Sequence, residues 1–101
     1  MVFLDYTTLN FSRGSEGNIY TTPYKCLIAL DVGTFSVAGS NNVYIGSSSK
    51  RLKDVKVIEG SDYTFDGGAM VYDSGSVLRV DGSGIGTISG TLHIFRLPES
   101  P

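Results

Sequence analysis

The chain has one histidine, His93, and one cysteine, Cys26. Nucleophilic catalysis of the Ser–His or Cys–His kind would have to pass through His93, because the nucleophile needs an adjacent base. His93 stands between Leu92 and Ile94 in a run that reads as a strand, so it is expected to be a half-buried packing residue. One His and one Cys cannot build a zinc site without heavy use of carboxylates. Cys26 lies in an apolar run, where a thiol acts as a small buried hydrophobe rather than a reactive group. A single cysteine also excludes a disulfide within the chain. The carboxylates Asp62, Asp66, Asp73 and Asp81 fall in or beside turns. Calcium between loops needs several such oxygens, but this spacing matches no calcium loop, and capping of turns is the expected role. Paired acids can also cleave glycosides, and nothing in the spacing makes two of these converge. The expectation is no metal, no cofactor and no catalysis.

Two glycine-rich stretches carry the strongest suggestion of chemistry. "ALDVGT" (29–34) resembles the first phosphate loop of the actin, sugar-kinase and heat-shock ATPase superfamily, and "FDGGA" (65–69) resembles its second. That resemblance implies an Asp serving a metal-bound water and glycines that let backbone N–H groups reach phosphate. It covers about ten of the 101 residues, and the superfamily fold needs two α/β domains several times this length. Asp–Gly pairs are also the commonest hairpin-turn chemistry, so a strand, a tight turn and a second strand is the expectation. "DGSGIGTISG" (81–90) mimics a nucleotide loop, but such loops need a following helix to aim its N-terminus at phosphate. Here "TLHIFRL" follows, which reads as a strand, and turns and bulges account for the glycines.

Binding chemistry offers two further groups. "KRLKDVK" (50–56) holds Lys50, Arg51, Lys53 and Lys56, four of the eight basic residues. With Asp54 the local charge is +3 (four minus one), enough for an anion or nucleic-acid patch. Asp54, Glu59 and Asp62 follow closely, and charged residues along a strand also guard an exposed edge. Edge protection is therefore the preferred reading, and nucleic acid is not an expected partner. Six tyrosines are many for the length. A tyrosine buries a large ring and keeps a polar tip wet, which suits interfaces and sugar platforms. Tyr20, Tyr44 and Tyr63 lie near predicted loops and are the candidates for exposed contacts.

The elements that must position these groups read as strands. Thirteen glycines, abundant Ser and Thr, and scattered Val, Ile, Tyr and Phe favour strands. No window keeps apolar residues at helical spacing for three turns. Strands are expected at 2–6, 24–30, 34–38, 43–45, 52–58, 63–65, 69–72, 76–80, 85–89 and 91–97, with a loop over 7–18. The turns at "DGG" (66), "DSGS" (73) and "DGSG" (81) recur at seven and eight residues, the rhythm of short strands joined tightly. Parallel pairs would need crossovers of a dozen residues or more. The expected fold is all-β: an antiparallel β-sandwich, jelly-roll-like, or a partly closed barrel of about eight to nine short strands with no long helix. One domain over 1–97 precedes a flexible tail at 98–101, where Pro98 and Pro101 end the ladder.

Net charge is −2 and the hydrophobic fraction 41%, so nothing global draws the chain to nucleic acid or acidic membranes. No apolar stretch approaches the ~20 residues of a membrane span. "MVFLDYTTLNFSRG" does not read as a secretory signal, and synthesis in the cytoplasm is the expectation. One departure from a simple sandwich matters most. A strand with one wet face alternates apolar and polar residues, yet Cys26–Leu30, Ala69–Tyr72 and the stretch around Leu92, Ile94 and Phe95 are apolar on both parities. A two-layer domain this small cannot hide both faces, so a second copy or a partner is expected to cover them. Leu27, Ala29 and Phe95 are the interface candidates. The reading is a non-enzymatic structural module that self-associates or packs on a partner, in the style of virion components such as capsid decorations, head fibres and tail parts. The alternative is a carbohydrate- or ligand-binding module that uses loop tyrosines and aspartates.

Overall fold

The computed structural model describes residues 2–31, 33–37, 41–57, 62–65, 68–82 and 84–99, and of these it describes the backbone alone for 33–37, 41, 55–57 and 62–65. Within them are ten strands: β1 (Asp5–Arg13), β2 (Gly17–Thr21), β3 (Cys26–Asp31), β4 (Gly33–Val37), β5 (Asn41–Gly46), β6 (Arg51–Val57), β7 (Asp62–Phe65), β8 (Ala69–Tyr72), β9 (Val77–Asp81) and β10 (Ile85–Arg96). Every pairing among them is antiparallel. They form a six-stranded sheet, ordered β7-β4-β10-β3-β8 with β1 on β10, and a four-stranded sheet, ordered β2-β9-β5-β6. The β-sandwich expected from the sequence is the observed fold.

The two sheets close on one core. Phe11, Cys26, Ile28, Leu30, Ile88, Leu92 and Ile94 come from the larger sheet, and Val43, Ile45, Leu52, Leu78 and Val80 from the smaller. Each strand supplies alternate residues, as a pleated strand with one inward face must. Tyr72 is fully buried among them, and its hydroxyl donates to the Lys50 carbonyl at 2.8 Å. Burial pushes that phenol up to about 12. The one buried polar residue among the described residues is Thr22. Its hydroxyl donates to the Asp73 carbonyl at 2.7 Å and accepts the Ser76 N–H at 2.9 Å, tying β2 to the turn before β9.

β10 organises the larger sheet. At twelve residues it spans about 40 Å, most of the 48 Å long axis of the molecule. One edge of it pairs with β1 over Ile88–Arg96. The other pairs with β3 over Thr91–Arg96 and then with β4 over Ile85–Ile88. A bulge between Ile85 and Thr87 switches the parity, so Ile85 and Ile88 both face inward. Gly90 lies mid-strand because Phe11, its direct partner on β1, packs its ring 3.0 Å from where a Cβ would stand.

Three expectations of chain path change. Residues 7–13 belong to strand β1 rather than to a loop, because Leu9 and Phe11 turn inward beside Leu92 and Gly90. Residues 85–89 and 91–96 are one strand. The largest change concerns "ALDVGT". β3 and β4 both run antiparallel to β10 along the same edge, so the chain does not reverse between Asp31 and Gly33. The pairing register shifts by one residue between Asp31–Thr91 and Phe35–Ile88, the signature of an irregularity within a continuing run rather than a hairpin.

Candidate interaction surface

Alternation along β1, β10, β3 and β8 places a second set of residues on the side of the larger sheet away from the core. The registers align them into rows. Tyr6 pairs with Phe95, Phe95 with Leu27 and Leu27 with Val71, a row of four apolar residues across four strands. The next row runs Thr8, His93, Ala29 and Ala69, and the third runs Asn10, Thr91 and Asp31. The interface candidates Leu27, Ala29 and Phe95 thus share one outward face. All three are half-buried within the single chain.

The N-terminal residues thicken this row. Leu4 donates its N–H to the Arg96 carbonyl at 2.8 Å, and the bend there lays Phe3 against Phe95 with ring centroids 4.9 Å apart. Tyr6 stacks on the other flank of Phe95 at 4.7 Å. Val2, Phe3, Leu4 and Tyr6 account for four of the five exposed large hydrophobics among the described residues, at 73%, 39%, 58% and 51% exposure. Scattered exposed apolar residues are ordinary, but Phe3 and Tyr6 packed on the two flanks of Phe95 make a contiguous cluster, the kind of feature that marks a contact surface. Sequence reasoning misses Phe3 and Tyr6. The available signal was the alternation of Tyr6, Thr8 and Asn10 against Leu9 and Phe11.

His93 lies at the edge of this face, in a chain of three polar side chains. The Tyr6 hydroxyl and Nδ1 of His93 are hydrogen-bonded at 2.7 Å, and Nε2 faces Asp31 Oδ2 at 3.3 Å. A proton on Nε2 would be directed at the Asp31 carboxylate, an acceptor only, and would leave Nδ1 to accept from Tyr6. The imidazole is locked between a carboxylate and a phenol, which fixes Tyr6 over the sheet. His93 is half-buried on the outward face and not in the core, and Asp31, part of "ALDVGT", is its partner. Cys26, by contrast, is wholly buried, and burial pushes its thiol up to about 11. Asp66 lies outside the described residues. Among those described, no group of three or more His, Cys, Asp or Glu could hold a metal ion.

The remaining candidates are dispersed. Tyr20 packs against the core, where burial raises its phenol. Tyr44 lies between the inward Val43 and Ile45, so it points outward, under the Arg51 guanidinium at 3.9 Å. Tyr63 belongs to β7 in the other sheet, and its side chain lies outside the described residues. The three do not share a loop platform. In the basic run, the Lys50 ammonium donates to the Val71 carbonyl at 3.1 Å, and Arg51 pairs with Asp54 at 2.8 Å. Lys53 is half-buried, and the Lys56 side chain is outside the described residues.

The edges of the sheets differ in protection. Leu30 donates its N–H to the Gly68 carbonyl, which fixes the β3–β8 pattern and turns the Val71 carbonyl to the free edge of β8. Lys50 caps it there. On the β2 edge, Arg13 Nη1 reaches the Asn18 carbonyl at 3.4 Å. β6 carries Arg51 and Lys53. β1 is paired on one side only, and between Asp5 and Arg13 it holds no charge, proline or bulge.

No protein-family model matches the chain, and no curated protein matches it. One solved structure is similar over most of the fold. It belongs to work described as "Bacillus endospore appendages form a novel family of disulfide-linked pili", with a TM-score of 0.45, 13% identity, and coverage of 94% of this chain and 87% of that one.

Proposed function

We propose that the protein is a non-enzymatic structural module that assembles by packing the outward face of its six-stranded sheet against another subunit. The observation that supports this most directly is the row Tyr6–Phe95–Leu27–Val71, joined by Phe3, on the side of the sheet opposite the core. Burying such a face is worth ~25 cal/mol per Å² before the entropy of association is subtracted. The role within that reading is that of a repeating part of a larger protein body, with a virion component such as a capsid decoration, head fibre or tail part as the specific proposal.

Sedimentation of the wild type against Leu27→Glu tests the reading. Leu27 lies on the outward side of β3, so a carboxylate there stays wet in the monomer and is stranded in a contact. The expected outcome is a defined wild-type oligomer, or co-purification with a larger particle, and a variant of lower mass with the wild-type melting temperature. A wild type that sediments as a clean monomer at every concentration and alone overturns the proposal.

A further inference from the structure

We infer that β1 is a self-recognition edge: it pairs antiparallel with β1 of a second copy, about a two-fold axis at Leu9, joining two six-stranded sheets into one. This rests on the reading of the protein as an assembly module and names one contact of that assembly.

The backbone sets the geometry. Leu97 donates its N–H to the Lys25 carbonyl, which directs the odd-numbered residues of β10 toward β3 and the even-numbered ones toward β1. The odd residues of β1 therefore bond to β10. The N–H and C=O groups of Tyr6, Thr8, Asn10 and Ser12 point out of the sheet edge. The Tyr6 N–H shows this orientation directly, because the Asp5 carboxylate of the same strand accepts it at 2.8 Å.

The sequence of that edge, DYTTLNFSR, is self-complementary. Centred on Leu9, an antiparallel copy sets Asp5 against Arg13 of the second copy at one end and Arg13 against Asp5 at the other. Tyr6 then opposes Ser12 and Thr8 opposes Asn10, all four with outward backbone groups. One donor and one acceptor at each of these four positions give about eight hydrogen bonds across the pair. Leu9 meets Leu9, and Thr7 meets Phe11, on the side that faces the core in both copies. A slip of one residue would oppose inward with outward side chains and separate both charge pairs.

The charges at the two ends are available for this. Arg13 donates to the carbonyls of Ser15, Glu16 and Asn18, which are neutral acceptors, and no carboxylate among the described residues pairs with it. Asp5 accepts only its neighbour's N–H, a bond the Ser12 carbonyl of the second copy replaces. The contrast with the β8 and β6 edges, each bearing a basic side chain, points the same way: natural sheets guard the edges they do not use, and an unguarded edge is where strand addition occurs.

Amide hydrogen exchange on the wild-type protein tests the pairing without a substitution. At concentrations where it assembles, the amides of Thr8, Asn10 and Ser12 are expected to exchange as slowly as those of Leu9 and Phe11, and to become fast on dilution. Mild oxidation of Leu9→Cys is expected to give a covalent dimer, since opposed residues at such a site lie ~4.5 Å apart between Cα atoms, within disulfide reach. Asp5→Arg is expected to weaken dimerisation about tenfold, and Asp5→Arg combined with Arg13→Asp to restore it to within about threefold. An oligomer whose Thr8, Asn10 and Ser12 amides stay fast overturns the β1 pairing while leaving assembly through the outward face intact. A monomer under all conditions removes both.

Discussion

Gly46 and Gly75 both sit at positive φ, at 149° and 83°, but their surroundings differ sharply. Gly46 ends β5, beside a register shift in its pairing with β6. A Cβ there would stand 2.6 Å from the Arg51 Cα and the Lys50 carbonyl oxygen and 2.7 Å from the Leu52 nitrogen, all of them backbone atoms. At Gly75, in the turn before β9, a Cβ would meet nothing within 4 Å. Alanine at Gly75 incurs only the left-handed backbone, about 1 to 2 kcal/mol, partly offset by the stiffer unfolded chain. Alanine at Gly46 adds to its backbone strain an overpacking cost of about 1 to 3 kcal/mol, because strand backbone cannot swing aside as a side chain can. Gly46→Ala should therefore be about 2 to 3 kcal/mol less stable than Gly75→Ala. Urea unfolding followed by circular dichroism would read this as a midpoint lower by about 1 to 2 M. Equal midpoints for the two variants would refute the reasoning, since the crowding at Gly46 is the larger difference between them.

Two further outcomes concern buried groups. Thr22→Val keeps the shape but removes the hydroxyl that bridges the Asp73 carbonyl and the Ser76 N–H; an expected loss of about 1 to 3 kcal/mol is checked by thermal unfolding. Cys26 and Tyr72 are held neutral, at about 11 and about 12, above the ordinary thiol and phenol values. The unfolded chain therefore releases those protons first, and stability is whole below the ordinary thiol range and falls as pH rises from about 8.5 through the folded values. Urea midpoints across that range should fall less steeply for Cys26→Ala than for the wild type, and parallel curves would contradict the assignment.

Much of the fold was legible in the chain, and so was part of the surface. Frequent Asp–Gly turns, a lack of helical periodicity and short β-branched runs sufficed for an antiparallel sandwich, because turn chemistry and strand alternation are local. The double apolar parity of Cys26–Leu30 and Ala69–Tyr72 announced that one face of those strands would lie outside the core. Leu27, Ala29 and Phe95 could be named on that ground alone.

What local pattern could not decide is which strands lie side by side. Tyr6 and Phe95 are 89 positions apart in the chain and become neighbours only through the β1–β10 register, so neither the apolar row nor the bare edge beside it has a one-dimensional signature. Asp31–Val32–Gly33 has the composition of a turn, yet β3 and β4 pair with the same edge of the long strand β10 and run in the same direction. His93 reads as a half-buried packing residue and is half-buried, but only the parity of β10 decides that it faces outward to Tyr6 and Asp31. Residue types set the strands and the inward faces by themselves. The order of the strands, which depends on loop closure and on the fit of distant side chains, was settled by the tertiary structure.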